Sequence, residues 1–144
     1  METTPIVFEV PGIPQPQGSA RARNVPGRSY PIVFTDNPKL KAWRHTVAKS
    51  ARVAHRGDPM TGPVRIVAEF YLPRPKALRG DRAHVTRPDT DKLLRGIGDA
   101  LTGVVIRDDS QVTQIKGSKF YARVGEVPRA VIAVTPLTEE GRLL

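Results

Sequence analysis

Two segments rich in proline and glycine limit where this chain can form regular structure. Residues 11–18 contain three prolines and two glycines, and residues 73–88 include Pro73, Pro75 and Gly80. Proline fixes φ and lacks the amide hydrogen that a helix or sheet requires, so both segments are predicted to be loops. The helices and strands must therefore lie before, between and after them.

Short runs of β-branched and aromatic residues predict the strands. The predicted strands occupy residues 5–10, 30–35, 64–72, 112–124 and 129–136, with a short extended run at 104–106. The last two strands flank Gly125-Glu126-Val127-Pro128, which favours a hairpin.

The first predicted helix begins at Asp36-Asn37-Pro38 and ends at Gly57, with apolar residues at spacings of three and four. These apolar residues are Leu40, Trp43, Val47, Ala51 and Ala54. We interpret Trp43 as a core residue rather than one that stacks on a base. The basic opposite face is either a solvated surface or a surface for the DNA backbone.

The second predicted helix runs from Asp89 to about Thr102 and ends at Gly103. Its inward residues are Leu93, Leu94, Ile97 and Leu101.

The order of these elements predicts an α+β fold, in which a mixed β-sheet carries two main helices on one face. We expect a single domain over residues 1–144, with a frayed polar tail at 137–144. The chain has no cysteine, and no apolar run approaches the roughly 20 residues that span a membrane. We therefore expect a cytoplasmic protein without disulfides or a cysteine-based zinc site.

The charge balance indicates a polyanionic partner. Lys and Arg number 23 against 14 Asp and Glu, which gives a net charge of +9. Nucleic acid is the commonest such partner, and a merely basic surface is the alternative. Two basic loops, the second expected to be mobile, are predicted to hold backbone phosphates. The residues assigned to DNA binding are Arg21, Arg23, Arg74, Lys76, Arg79, Arg82 and Arg87.

The acidic residues are concentrated in one part of the chain. Five of the 14 fall within 21 positions, and all five are aspartate: Asp89, Asp91, Asp99, Asp108 and Asp109. Clustered carboxylates would repel a polyanion unless a divalent cation lay among them, and Mg²⁺ prefers carboxylate and water oxygens. Only one of Asp108 and Asp109 should face the metal, because adjacent residues of an extended chain point oppositely.

Ordinary structural roles would also account for each aspartate taken singly. Asp89 could be a helix N-cap, Asp91 a partner of the helix dipole, and Asp108-Asp109-Ser110 a turn. Together, in a basic chain, they favour a metal site for phosphodiester hydrolysis. Arg95 or Lys92 could neutralise a phosphate oxygen there. We assign Asp99 as an ion-pair partner of Arg95 rather than a ligand.

Three elements of the sequence carry a family resemblance. They are Arg87-Pro-Asp-Thr-Asp-Lys-Leu-Leu-Arg95, Asp99-Ala-Leu-Thr-Gly103 and Asp108-Asp-Ser-Gln-Val112. In pattern and order they resemble the R-x-D-x-D-N-L, D-A-L-x and D-D-x-Q-V elements of the RusA family of Holliday-junction resolvases, which are crossover junction endodeoxyribonucleases. The detailed match covers about residues 87–115, and the N-terminal half agrees in the order of its elements only.

The resemblance implies a homodimeric, metal-dependent endonuclease of phages and prophages that cuts branched DNA in the bacterial cytoplasm, in recombination and repair. Its metal ligands would be Asp89, Asp91 and Asp109, with Mg²⁺ as cofactor and Mn²⁺ as a substitute. The family's essential lysine falls on Arg95, and its asparagine is replaced by Lys92. Because arginine is a planar fork and lysine a compact charge, either Arg95 keeps the electrostatic role or Lys92 assumes it.

Two rival interpretations stay open. A nuclease of the same class could prefer flaps or forks to four-way junctions, since nothing in the sequence fixes the branch geometry. A non-catalytic nucleic-acid-binding protein would bind DNA in a salt-sensitive way without Mg²⁺-dependent cleavage. The sequence contains no P-loop, no helix pair joined by a short turn and no zinc-ligand spacing of its histidines.

Overall fold

The computed structural model describes residues 4–18, 21–34 and 37–144. Its strands are β1 (Ile6–Pro11), β2 (Arg21–Arg23), β3 (Ile32–Phe34), β4 (Val64–Leu72), β5 (Val112–Tyr121) and β6 (Arg129–Pro136). Its helices are α1 (Leu40–Ala54), α2 (Thr90–Leu101) and a single 3-10 turn at Asp109–Gln111. The predicted cap Asp36 and the predicted strand end Thr35 lie outside the described residues.

Four of the strands form one mixed sheet in the order β1-β6-β4-β5. The β4–β5 pair is parallel, whereas β4–β6 and β1–β6 are antiparallel. The predicted α+β fold with a mixed sheet and two main helices is therefore confirmed.

The predicted hairpin between the last two strands is wrong, because β4 lies between them. Ala68 of β4 faces Gly117 of β5 on one side and Ile132 of β6 on the other. The connection over residues 122–128 is longer than the usual hairpin loop, and this length lets the chain cross β4 before it pairs.

The core lies between one face of the sheet and the two helices. β4 alternates strictly, with its even-numbered residues from Val64 to Leu72 buried. Trp43 is buried with Leu40, Val47 and Ala51 along α1, which confirms its interpretation as a core residue. Ala54 is exposed, since α1 ends there rather than at Gly57.

Several segment boundaries also differ from the prediction. Residues 21–23, expected to be part of a basic loop, form β2 and pair with β3 in a separate two-stranded sheet. Residues 104–106 form a buried turn rather than an extended run, because the amide groups of Val104 and Val105 donate to the Leu101 carbonyl at the end of α2. β5 ends at Tyr121 rather than at residue 124.

The tail residues 137–144, expected to fray, contain no helix or strand but contact the rest of the domain. Leu137 is buried, and the Gln114 side chain donates to the Gly141 carbonyl at 2.9 Å. Among the described residues, no helix is long and apolar enough to cross a membrane.

Candidate functional site

α2 and the 3-10 turn bring Asp91 and Asp109 to one cleft. The cleft has a volume of about 530 Å³ and lies between α2 and the edge strand β5. Asp99 and Arg95 line it too, over an apolar floor that includes Leu94. We call this the acidic cleft.

A capping box positions Asp109 at the start of the 3-10 turn. The Asp108 carboxylate accepts from the Ser110 backbone amide at 3.1 Å, and the side-chain Oε1 of Gln111 accepts from the Asp108 backbone amide at 2.9 Å. The Gln111 amide group also donates to the carbonyls of Met60 and Gly62, both at 2.8 Å. Asp108 is thus used as a cap, and Asp109 alone of the pair lines the acidic cleft. The backbone of Asp108 is extended, the 3-10 turn begins at Asp109, and the two carboxyl groups are hydrogen-bonded to each other.

The carboxylates of the acidic cleft repel one another. Hydrogen bonding to the Asp108 carboxyl raises the pKa of Asp109, and slight desolvation and the charges of Asp108 and Asp99 act in the same direction. The Ser110 amide and the bond with Asp109 lower the pKa of Asp108. A cation in the acidic cleft would relieve this repulsion.

Asp99 is held by residues far away in the sequence. The Gln17 side-chain amide donates to it at 2.6 Å, and Arg44 of α1 lies 3.4 Å from the same oxygen. The predicted Asp99–Arg95 ion pair is therefore wrong, because Arg44 reaches Asp99 across the α1–α2 interface. Arg95 makes no ion pair or side-chain hydrogen bond within the described residues, and its exposed guanidinium lines the acidic cleft.

Asp89 lies in a neighbouring cleft rather than in the acidic cleft. Its carboxylate is 3.6 Å from the Lys92 ammonium, and both residues line a space of about 850 Å³. Asp89 occupies the N-cap position of α2, but its side chain makes no capping hydrogen bond.

The predicted ligands therefore divide between two adjoining clefts at the start of α2. Within residues 4–18, 21–34 and 37–144, no three Asp, Glu or His side chains are placed to hold one metal ion. The paired carboxylates Asp91 and Asp109 nevertheless have the chemistry that suits a hard divalent cation, because they are exposed oxygen donors gathered in one space.

The predicted DNA-binding residues are spread over a wider surface. Arg87 lines the cleft that holds Asp89, whereas Arg74 and Lys76 lie beside the turn at residues 122–126. Arg82 lies near Phe120, and Arg79 is exposed in the same loop. Arg23 is exposed on β2, and the side chain of Arg21 lies outside the described atoms.

Sequence reasoning missed three residues that shape the site. Gln17 and Arg44 hold Asp99, and no local pattern could reveal contacts between such distant segments. Lys119 of β5 donates to the carbonyls of Thr86 and Pro88, at 2.5 and 2.9 Å, and so secures the end of the basic loop. The Asp108–Gln111 capping box, by contrast, has a readable D-x-x-Q spacing.

The chain has an α+β fold with aspartates clustered at the edge of its sheet and basic loops beside them. These are features of a protein that cleaves phosphodiesters. Residues 11–135 match the family described as Endodeoxyribonuclease RusA, and the chain belongs to this family of endodeoxyribonucleases. The resemblance noted from the sequence motifs is thereby confirmed. The Bacillus subtilis (strain 168) protein named "Uncharacterized protein YqaN" is 31% identical over 140 residues, which cover 90% of this chain and 94% of that protein.

Proposed function

We propose that this chain is a metal-dependent endodeoxyribonuclease that cuts branched DNA, with Holliday junctions as its main substrate, in recombination and repair. The observation that carries the proposal is the meeting of Asp91 and Asp109 in the acidic cleft of a RusA-family chain. On the family resemblance, we assign the enzyme to a phage or prophage and to the bacterial cytoplasm.

Asp91, Asp109 and Asp89 are the proposed metal ligands. The Asp89–Lys92 ion pair is half exposed on both sides, with side-chain exposures of 54% and 46%. Such an ion pair contributes at most about 1 kcal/mol to stability. Asp89 can therefore leave Lys92 and bind a metal ion instead. Bound Mg²⁺, or Mn²⁺ in its place, would supply an activated water and stabilise charge on the leaving oxygen.

The cationic residues at the start of α2 complete the proposed chemistry. Arg95 lines the acidic cleft without a protein partner among the described residues, so it is available to a phosphate oxygen. Lys92, one turn earlier on α2, becomes available when Asp89 leaves it. We therefore assign the electrostatic role to Arg95 first and to Lys92 second.

A homodimer would place two such sites on one junction. Paired nicking of a four-way junction requires two sites related by a two-fold axis, which a symmetric dimer provides. Sedimentation of the free protein and of its junction complex tests this part of the proposal.

The decisive experiment compares cutting of a labelled four-way junction, a flap and a linear duplex by the wild type and Asp91→Asn. Each substrate is incubated with Mg²⁺, Mn²⁺ or EDTA. We expect metal-dependent cutting of branched substrates by the wild type and its loss in Asp91→Asn, with DNA binding retained. Asp58→Asn is the matched control, because Asp58 is an exposed aspartate that lines neither the acidic cleft nor the cleft of Asp89.

The substrate pattern decides between the remaining functions. If the flap is cut faster than the four-way junction, the function should be assigned as a flap nuclease rather than a resolvase. Normal cutting by Asp91→Asn would overturn the assigned site. Salt-sensitive binding by a folded wild type that cuts no substrate would favour a binding protein.

A further inference from the structure

The cleft that holds Asp89 adjoins the acidic cleft but has different walls. The first proline-rich segment contributes Pro14 and Pro16, and the second loop contributes Pro73 and Pro75. We call this space of about 850 Å³ the proline cleft. Its walls are stiff because proline restricts the backbone, and its volume exceeds that of a single nucleotide base.

Two aromatic rings form part of the wall of the proline cleft. The His84 and Tyr121 rings lie 4.4 Å apart between centroids, tilted by 39°. Tyr121 is held there by its place at the end of β5, opposite Leu72. Aromatic rings in an open cleft are stacking surfaces for nucleic-acid bases.

His84 is buried with an unused polar atom. The residue is only 7% exposed, and its Nδ1 atom has no hydrogen-bond partner within the described residues. Burial, helped by the Lys119 charge, lowers the pKa of His84, so the ring is neutral near pH 7. A buried polar atom without a partner is costly, and a ligand that offers a hydrogen bond would remove this cost.

The charges of the proline cleft suit a phosphate ester. Arg87 and Lys92 line it, and Asp89 is the only acid among the described residues of the lining. Asp89 is already paired with Lys92, and it is one of the proposed metal ligands. A phosphate bound near Arg87 would therefore lie beside the catalytic start of α2.

We propose that the proline cleft binds an unpaired nucleotide at the branch point of the DNA substrate, with its base against Tyr121, beside His84, and its phosphate near Arg87. This proposal rests on the proposed function for its choice of ligand. Such a nucleotide site would allow the enzyme to recognise branches. A base in continuous duplex is stacked and paired, and it cannot enter the cleft without the free-energy cost of unpairing.

The first test measures binding in EDTA, so that cutting does not enter the result. The probe is a fork with two unpaired thymines at the branch, compared with a linear duplex of the same length. Tyr121→Leu is expected to weaken fork binding about tenfold and to leave duplex binding unchanged, since a base–aromatic stack is lost. The matched control is Phe120→Leu, the next residue on β5, whose ring lies on the other face of the sheet against Tyr71.

The outcomes separate this proposal from the proposed function. Equal fork binding by Tyr121→Leu, Phe120→Leu and the wild type would overturn the base site even if the enzyme cuts DNA. A loss confined to Tyr121→Leu and the fork would support the base site even if no substrate is cut.

A second test uses the wild type, so that folding of a variant is not an issue. 5-Iodouracil replaces the unpaired thymines, and ultraviolet crosslinks are mapped by mass spectrometry. Crosslinks to peptides that contain His84 or Tyr121 are expected. Crosslinks found only on other peptides would overturn the proposal.

Discussion

Gly117 of β5 lies so close to Leu94 of α2 that a Cβ atom at position 117 would be 2.7 Å from Leu94 Cδ1. The Cγ and Cδ2 atoms of Leu94 would lie within 3.0 Å as well. Glycine at this position therefore allows α2 to approach the edge strand. Leu94 also lines the acidic cleft, so this close contact lies beside Asp91 on α2 and Asp109 before β5.

Gly117→Ala is expected to lower the free energy of unfolding by about 1–3 kcal/mol, because the whole Leu94 side chain must move in a packed region. Chemical denaturation measures the change. Gly57→Ala is the control, since no heavy atom lies within 4 Å of a Cβ at that position. An equal effect of both substitutions would show that the Leu94 contact is not the cause.

Asp109→Asn is expected to remove cutting without lowering thermal stability in EDTA. The neighbouring carboxylates raise the pKa of Asp109, so ionisation of this residue opposes folding at neutral pH and the amide removes that repulsion. Melting temperature and the cleavage assay are measured on the same preparation. Asp108→Ala should instead lower the melting temperature, because the Ser110 amide loses its cap. A marked fall in stability for Asp109→Asn would contradict the repulsion that we describe.

The stability of the protein should fall on acidification, and His84 should contribute to this fall. The folded-state pKa of His84 lies below its ordinary value of 6.5, so the unfolded chain takes up the proton first. The contribution of neutral His84 to the stability of the folded protein is complete above pH 6.5. This contribution is lost progressively as the pH falls from 6.5 towards the folded-state pKa. Urea denaturation at pH 7.5 and pH 5.5 measures the free energy of unfolding at each pH. The decrease between the two pH values should be smaller for His84→Gln than for the wild type. His45→Gln, at an exposed position on α1, is the comparison variant.

Arg79→Gln is expected to reduce the dependence of DNA binding on salt. If Arg79 contacts one phosphate, the slope of log affinity against log salt concentration should fall in magnitude by about 0.9. Titrations of a linear duplex at several salt concentrations measure this slope. Arg142→Gln changes the charge equally at an exposed position in the C-terminal tail and should leave the slope unchanged.

The parts of the fold that depend on local pattern were predictable, whereas those that depend on strand order were not. The bounds of β4 and β6 follow from composition and flanking prolines, and the buried Trp43 follows from helical spacing. The insertion of β6 between β1 and β4 has no local signal, since pairing energy depends on residues that meet only in the folded sheet.

The same distinction applies to the site. The Asp91 and Asp109 motifs were visible in the sequence, and the structure gathers both residues in one cleft. Two contacts of the site were not predictable. The Asp89–Lys92 ion pair depends on side-chain geometry, and the Arg44–Asp99 ion pair depends on the α1–α2 interface. That the predicted ligands bind metal, and that Arg95 acts on phosphate, stay predictions.

The strand order also has a consequence for synthesis of the protein. β1 pairs only with β6 in the described sheet. Ile6 therefore cannot pair with Val134 until β6 has left the ribosome. Until then, the apolar side of β1, with Phe8 and Val10, has no completed sheet to join. A growing chain therefore cannot complete this sheet until β6 has been synthesised, and a chain truncated before β6 leaves β1 without its partner strand.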